Sequence, residues 1–282
     1  MCLVLLAWRA HPEYRLIVAA NRDEFYTRPT ESLRRWPGEP GLLAGRDLGA
    51  PTPGTWLGLR TDAARFAAVT NVRNPQDTPA RPRSRGALLM DYLRGAATPA
   101  AYLAGIAAAP DAYVGYNLLV SDLRSLWWQS NRSGAGPLEL SPGLHALSNA
   151  AHLASLPGSI HSDPQAATVV GAGAPPSWPK IDTGLAGLRD IVATAPDSVD
   201  DYFALLADRT EATDDLLPRT GIPLEFERAV SARFVAHDLH GTRASTVLLV
   251  REDGHFTMAE HTFGRHGAVE GTETLSGVVA VP

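Results

Sequence analysis

The chain has 282 residues, 45% hydrophobic and 20% charged, enough for one large domain or two small ones that bury roughly 70–75% of the unfolded surface. Its 25 Lys+Arg against 30 Asp+Glu leave a formal net charge of -5. With no extended basic block, this argues against a general nucleic-acid or anionic-membrane surface. Arginine supplies nearly all the positive charge, Lys180 being the only lysine. The one cysteine, Cys2, excludes an internal disulfide and every thiolate-cluster zinc site. The opening apolar run stops at Arg9, too short for a signal peptide. Nothing later approaches the roughly 18 uninterrupted apolar residues of a transmembrane segment. A soluble, cytoplasmic protein is expected.

The predicted elements begin with two strands, 3–8 and 15–20, joined by a turn at His11-Pro12-Glu13, so that Cys2 and Asp23 become neighbours. A Pro/Gly-rich stretch follows over 27–53, with 42–47 as its only brief apolar element. Residues 54–59 and 65–70 read as strands, and 71–83 as a loop. A helix starts at a Ser84 cap and ends near Gly95. Thr98-Pro99 pairs a cap with a first-turn proline and opens another helix. Residues 113–119 and 123–129 form a strand pair, whereas 153–179 reads as helix and long loop. Ser198 with Asp201 caps a helix running to 208. The hairpin of 244–250 and 255–261 around Glu252-Asp253-Gly254 is the clearest in the chain.

Cys2 stands where removal of the initiator methionine would make it the first residue. An α-amine has a pKa of about 7.7–8.0 and a thiol about 8.5, so the amine can take the thiol proton without a histidine. Free cysteine is also among the most buried residues, and position alone leaves nucleophile and core residue both open. Asn21-Arg22-Asp23-Glu24 is the densest polar cluster to end an apolar strand. Asp23 beside an N-terminal ammonium would stabilise it; a solvated turn is the other reading. If the strand continues, Arg22 alternates in direction with Asp23, and the two are not expected to face one cavity. Asn71, Asn117 and Asn149 each offer an amide NH2 to a developing oxyanion, a contact worth about 2.7–4 kcal/mol in a serine hydrolase, or tie down a turn. Arg243 either neutralises a carboxylate in the site or is a solvated strand-edge cation. No His-Glu-x-x-His, phosphate loop, Gly-x-Gly-x-x-Gly or Gly-x-Ser-x-Gly occurs, which leaves Cys2 without a strong rival as nucleophile.

With Asn21-Arg22-Asp23-Glu24 as its signature, the chain resembles the NRDE family, whose eukaryotic members are called transport and Golgi organization proteins. Matching blocks follow in order: Met1-Cys2, residues 16–25, Gly54-Thr55-Trp56-Leu57-Gly58, Thr70-Asn71, Arg83-Ser84-Arg85-Gly86, Gly115-Tyr116-Asn117, Leu147-Ser148-Asn149-Ala150 and Gly241-Thr242-Arg243. The family is in turn similar to cysteine N-terminal nucleophile hydrolases, the branch of bile-salt and penicillin V hydrolases. That resemblance implies an α+β, four-layer αββα fold with mostly antiparallel sheets. It would form one domain over 1–282, with 155–235 a helical and loop region that matches least. It implies Cys2 as nucleophile, Asp23 as its partner, Asn149 in the oxyanion hole and Arg243 as the late arginine. Asn71 lies near the other oxyanion position. The branch usually has an arginine before the Asn-x-Asp segment; here that position is Ala20, and Arg22 is the nearby arginine.

The expected function is hydrolysis of a non-peptidic amide, thioester or related acyl compound, or acyl transfer, with no cofactor required. The alternative is a non-enzymatic haem or lipid/acyl-CoA binding and trafficking protein with an inherited hydrolase cavity. In it Trp56 and Phe66 would line an apolar pocket, and His145, His237 or His261 would offer haem iron an axial ligand, no Cys-x-x-Cys-His motif being present.

Overall fold

The computed structural model describes residues 2–50, 52–75, 77, 83–157, 168–171 and 178–281. At its centre lie β1 (Cys2–His11) and β2 (Tyr14–Phe25), a hairpin turning at Pro12-Glu13. Both strands are covered on two faces, which is why they read as continuous apolar runs rather than alternating ones. β2 does not end at Ala20. Asn21, Arg22 and Asp23 stay in the strand and are buried, because Asn21 and Arg22 pair with β1 and β13 on either side and Asp23 continues along β13.

The remaining strands are β3 (Thr30–Trp36), β4 (Glu39–Asp47), β5 (Leu57–Arg60), β6 (Arg65–Asn71), β7 (Tyr116–Ser121), β8 (Leu126–Ser130), β9 (Leu138–Glu139), β10 (Gly143–Leu147), β11 (His152–Pro157), β12 (Thr168–Gly171), β13 (His240–Arg251), β14 (His255–Phe263) and β15 (Val269–Val278). They make two sheets, in the orders β12-β11-β10-β1-β2-β13-β14-β15 and β3-β4-β5-β6-β7-β8-β9. Every pairing within them is antiparallel. The helices are α1 (Arg85–Arg94), α2 (Pro99–Ala107), α3 (Pro179–Thr194), α4 (Val199–Leu206) and α5 (Leu224–Ala229). Ser84, Thr98 and Ser198 cap α1, α2 and α4 through their hydroxyls, as their spacing predicts.

Three apolar cores follow from this arrangement. One joins the facing sides of the two sheets, with Val4, Leu6 and Val18 meeting Leu59, Phe66 and Trp128. A second packs Leu5, Ile17 and Leu249 under Ile181, Leu188 and Tyr202 of α3 and α4. The third packs Leu42, Ala67 and Leu118 under Leu89, Leu93 and Leu103 of α1 and α2. The fold is thus mixed α+β, with two antiparallel sheets and helices packed on them. Among the described residues no helix is long and apolar enough to cross a membrane.

The structure corrects several expected elements. Residues 27–53 hold the β3–β4 hairpin rather than one short apolar element. Within 155–235, expected as helix and loop, β11 ends and β12 adds a strand, while residues 158–167 and 172–177 lie outside the described residues. The long helix α3 starts at Pro179, and it packs with α4 on the eight-stranded sheet rather than around a core of its own. β3 and β15 escape the apolar pattern for one reason. Each is an edge strand of its sheet, where many side chains reach solvent and charged residues discourage further pairing.

Candidate active site

Register places the site. Cys2 pairs with Arg22 across the β1–β2 hairpin, and Thr242 of β13 pairs with Asp23. On the other side of β1, Val4 pairs with Leu147, so the chain after β10 runs past the end of β1. There Ser148 Oγ donates to the Cys2 carbonyl at 2.9 Å, and the Cys2 backbone N–H donates to Asn149 Oδ1 at 3.3 Å. Segments far apart in sequence thereby converge on Cys2 at one end of the sheet.

Cys2 is 8% exposed and lies on the wall of a cavity of about 450 Å³, a volume usual for small-molecule sites. Arg22, Asp23, Trp56 and Asn71 share that wall, so Arg22 and Asp23 border one cavity despite their alternation. Burial pushes the Cys2 thiol up, and the Asp23 charge adds to this. Arg22 and the Asp23 backbone N–H, which donates to the sulfur, pull the other way. A thiol raised in this way is protonated near neutral pH and needs a base to become nucleophilic.

Asp23 is 1% exposed. Its Oδ1 accepts from Thr242 Oγ1 at 2.7 Å, and that hydroxyl accepts from the Val235 N–H at 2.9 Å. Burial raises its carboxyl, opposed by Lys180, Thr242 and Arg22. Lys180, in the first turn of α3, is 3% exposed and donates to the Val230 carbonyl at 2.8 Å. Burial brings its pKa down to about 8, against the opposing pull of Asp23.

The three candidate asparagines form one network with different tasks. Asn149, 0% exposed, has both amide hydrogens engaged by Asn71, at its carbonyl (3.0 Å) and its Oδ1 (2.8 Å). Asn71 Oδ1 therefore faces Asn149, and its Nδ2 is the other end of the amide, on the residue that lines the cavity. Asn117 Nδ2 binds Thr70 Oγ1 and the carbonyls of Ser148 and Ala150, tying the ends of β6 and β7 to the segment after β10. Arg243 has a different place from the one expected. The register slips between Thr242 and Ala244, and the extra residue bulges from the ladder. Its guanidinium donates to the carbonyls of Phe25, Tyr26, Arg28 and Phe263, clamping the loop after β2 rather than meeting Asp23. Arg22 pairs with Asp47 at 3.0 Å.

A family model for Transport and Golgi organisation 2 matches residues 1–265. The chain belongs to that family. It is 30% identical to the Transport and Golgi organization protein 2 homolog of Bos taurus, over 93% of each chain, and 30% identical to the Homo sapiens homolog over the same shares. The Drosophila melanogaster protein of that name is 32% identical over 33% of this chain and 35% of its own.

Among residues that sequence reasoning passed over, Thr242 and Ser148 hold Asp23 and Cys2 directly. Both stand inside blocks already singled out for a neighbouring residue. Lys180 carried one signal, its being the sole lysine, without any indication of where it would lie. The histidines considered as haem ligands do not line the Cys2 cavity. His145 is buried, with Nδ1 on Ser155 Oγ and Nε2 on the Ser141 carbonyl, so both ring nitrogens are occupied. His261 stacks on Phe203 at 3.8 Å, and His237 is exposed. Phe66 is core, whereas Trp56 does border the cavity. Among the described residues no three His, Cys, Asp or Glu side chains converge as a metal ion would require.

Proposed function

We propose that this protein is a cytoplasmic cysteine hydrolase of the N-terminal nucleophile type, acting on a non-peptidic amide, thioester or related acyl compound after removal of Met1. The observation that carries this reading is the convergence of Cys2, Asp23 and Asn71 on one cavity wall. The three apolar cores, helix to sheet, sheet to sheet and sheet to helix, support the four-layer αββα arrangement of that class.

With Met1 removed, the Cys2 nitrogen is a primary amine on the same residue as the thiol. Asn149 Oδ1 accepts one of its hydrogens, which orients the lone pair, and the amine takes the thiol proton. The thiolate attacks the substrate carbonyl, and Asn71 Nδ2 donates to the oxyanion that forms. Asn149 holds Asn71 in place for that contact. Collapse breaks the bond to the leaving group, which departs with the proton carried by the ammonium. The amine then deprotonates water, which attacks the Cys2 thioester, and the acid leaves as the thiol regains its proton. Asp23 steadies the ammonium in both half-reactions.

Intact-mass measurement of purified protein, before and after an activated ester such as p-nitrophenyl butyrate, tests the scheme. The expected result is a mass lacking Met1 and a single butyryl adduct that maps to Cys2. A retained Met1, or an unlabelled Cys2 in folded protein, rules it out.

A further inference from the structure

The Cys2 cavity holds a cation that its own acids do not match. Four arginines line it, Arg22, Arg28, Arg83 and Arg85, against Asp23, Glu24 and Asp47. Arg22 and Arg28 reach Asp47 at 3.0 and 2.9 Å, and Arg83 pairs with Asp91 at 2.6 Å. Arg85 has no carboxylate within ion-pair distance among the described residues. Its one hydrogen bond there runs from Nη1 to the Gly115 carbonyl at 3.2 Å. A guanidinium carries five N–H donors in a planar fork suited to a carboxylate or phosphate, so most of this one remains available.

The backbone holds Arg85 in that position. It is the first residue of α1, directly after the Ser84 cap. Behind it, Gly86 meets Gly54 backbone to backbone: a Cβ on Gly54 would lie 3.2 Å from Gly86 Cα, and one on Gly86 would lie 3.4 Å from Gly54 Cα. The two glycines let the start of α1 press against the cavity wall, and the partial positive charge of the helix terminus adds to the guanidinium. Burial disfavours the Arg85 charge, and a negative Cys2 sulfur favours it.

We infer that the cavity recognises an anionic acyl compound, with Arg85 as the residue that holds its carboxylate or phosphate group. The substrate class rests on the reading of Cys2 as nucleophile; the anion site itself does not.

The test is alkylation of Cys2 in the native protein by iodoacetate and by iodoacetamide, a matched anionic and neutral pair. The iodoacetate-to-iodoacetamide rate ratio at Cys2 is expected to exceed that of the urea-unfolded chain by roughly tenfold or more, the size of one charge-assisted contact. In Arg85→Gln the ratio falls to the unfolded value, and in Arg85→Lys, which keeps the charge without the fork, it lies between. Glutarate and inorganic phosphate should slow alkylation by iodoacetamide in wild type and not in Arg85→Gln; whichever protects better identifies the anion. A wild-type ratio equal to the unfolded one, or unmoved by both Arg85 variants, overturns the inference while leaving Cys2 a nucleophile. If Cys2 reacts with neither reagent, the nucleophile reading fails, and the anion site is measured by calorimetry of glutarate and phosphate with Cys2→Ala protein. Saturable binding that Arg85→Gln abolishes upholds the site; no binding of either anion overturns it.

Discussion

Alanine at Asn71 and alanine at Asn149 should fail in different ways, although the sequence presents the two residues alike. Asn149 is 0% exposed and its amide accepts from Cys2 N–H at 3.3 Å while donating to Asn71 at 3.0 and 2.8 Å. Alanine there leaves the Cys2 nitrogen and two Asn71 acceptors without their partner. A buried group left unsatisfied costs about 1–3 kcal/mol. Asn71 is half-buried and regains water, so the total should be about 2–4 kcal/mol. Asn71→Ala takes one acceptor from the Asn149 amide, but Asn149 keeps its bond to the backbone carbonyl of residue 71 and cavity water replaces the lost Oδ1, so stability should fall by about 1 kcal/mol or less. Turnover should fall about 10²–10³-fold, the loss seen when one oxyanion donor is removed. Urea unfolding supplies the stabilities, with slopes checked for a change in the unfolded state. Steady-state hydrolysis of a chromogenic ester supplies kcat and kcat/KM. Near wild-type kcat in Asn71→Ala, or an undiminished unfolding midpoint in Asn149→Ala, refutes the division of roles.

Asp23→Asn keeps the shape of the residue and its acceptor for Thr242, so Cys2 acylation should drop at least about tenfold while the unfolding midpoint moves little; parallel losses in both would make Asp23 merely structural. Glu260, 3% exposed, accepts from the Leu33 N–H and Thr246 Oγ1, and burial holds its carboxyl at about 7. The folded state therefore binds the extra proton between its ordinary value of about 4.3 and about 7, and stability is lost as pH rises through that window. Glu260→Gln should exceed wild type by about 2–4 kcal/mol at pH 8, with the advantage gone near pH 4; a pH-independent difference between the two unfolding curves counts against this. Gly184→Ala in α3 would bring a Cβ to 2.9 Å from Leu5 Cδ2. Overpacking of about 1–3 kcal/mol should outweigh the helix-propensity gain of about 1 kcal/mol, and a raised melting temperature would show that α3 shifts freely on β1.

Where a segment's local chemistry decides its structure, the sequence was readable. Ser84, Thr98 and Ser198 announce their helices because a cap is a contact between residues three apart. The β1–β2 and β13–β14 hairpins follow from apolar runs broken by turn residues. β3 and β15 were not readable, since edge strands need little apolar surface. Asn21-Arg22-Asp23-Glu24 looks like a turn because four polar residues end an apolar run, yet they continue β2, Asn21 and Arg22 between β1 and β13 and Asp23 and Glu24 along β13. The neighbourhood of Cys2 and Asp23 was legible from the hairpin, and Asn71 and Asn149 from the family blocks. The division of labour between those asparagines was not, because it depends on which atoms of one amide the other occupies. Neither was the displacement of Arg243, which follows from a one-residue bulge that no side-chain pattern marks. Lys180 comes near enough to act on the Asp23 charge only through the packing of α3 on the sheet, an influence between residues far apart in the chain.

The most direct measurement compares Cys2 acylation in protein that has lost Met1 with protein whose N-terminus is extended by one blocked residue, so that the Cys2 nitrogen stays an amide. Both keep the thiol, the cavity and Asn71; only the amine that serves as base differs. The expected result is acylation by an activated ester at least about 10²-fold slower in the blocked form, the usual contribution of a positioned general base, with unfolding midpoints unchanged. Equal rates in the two forms would contradict an N-terminal nucleophile.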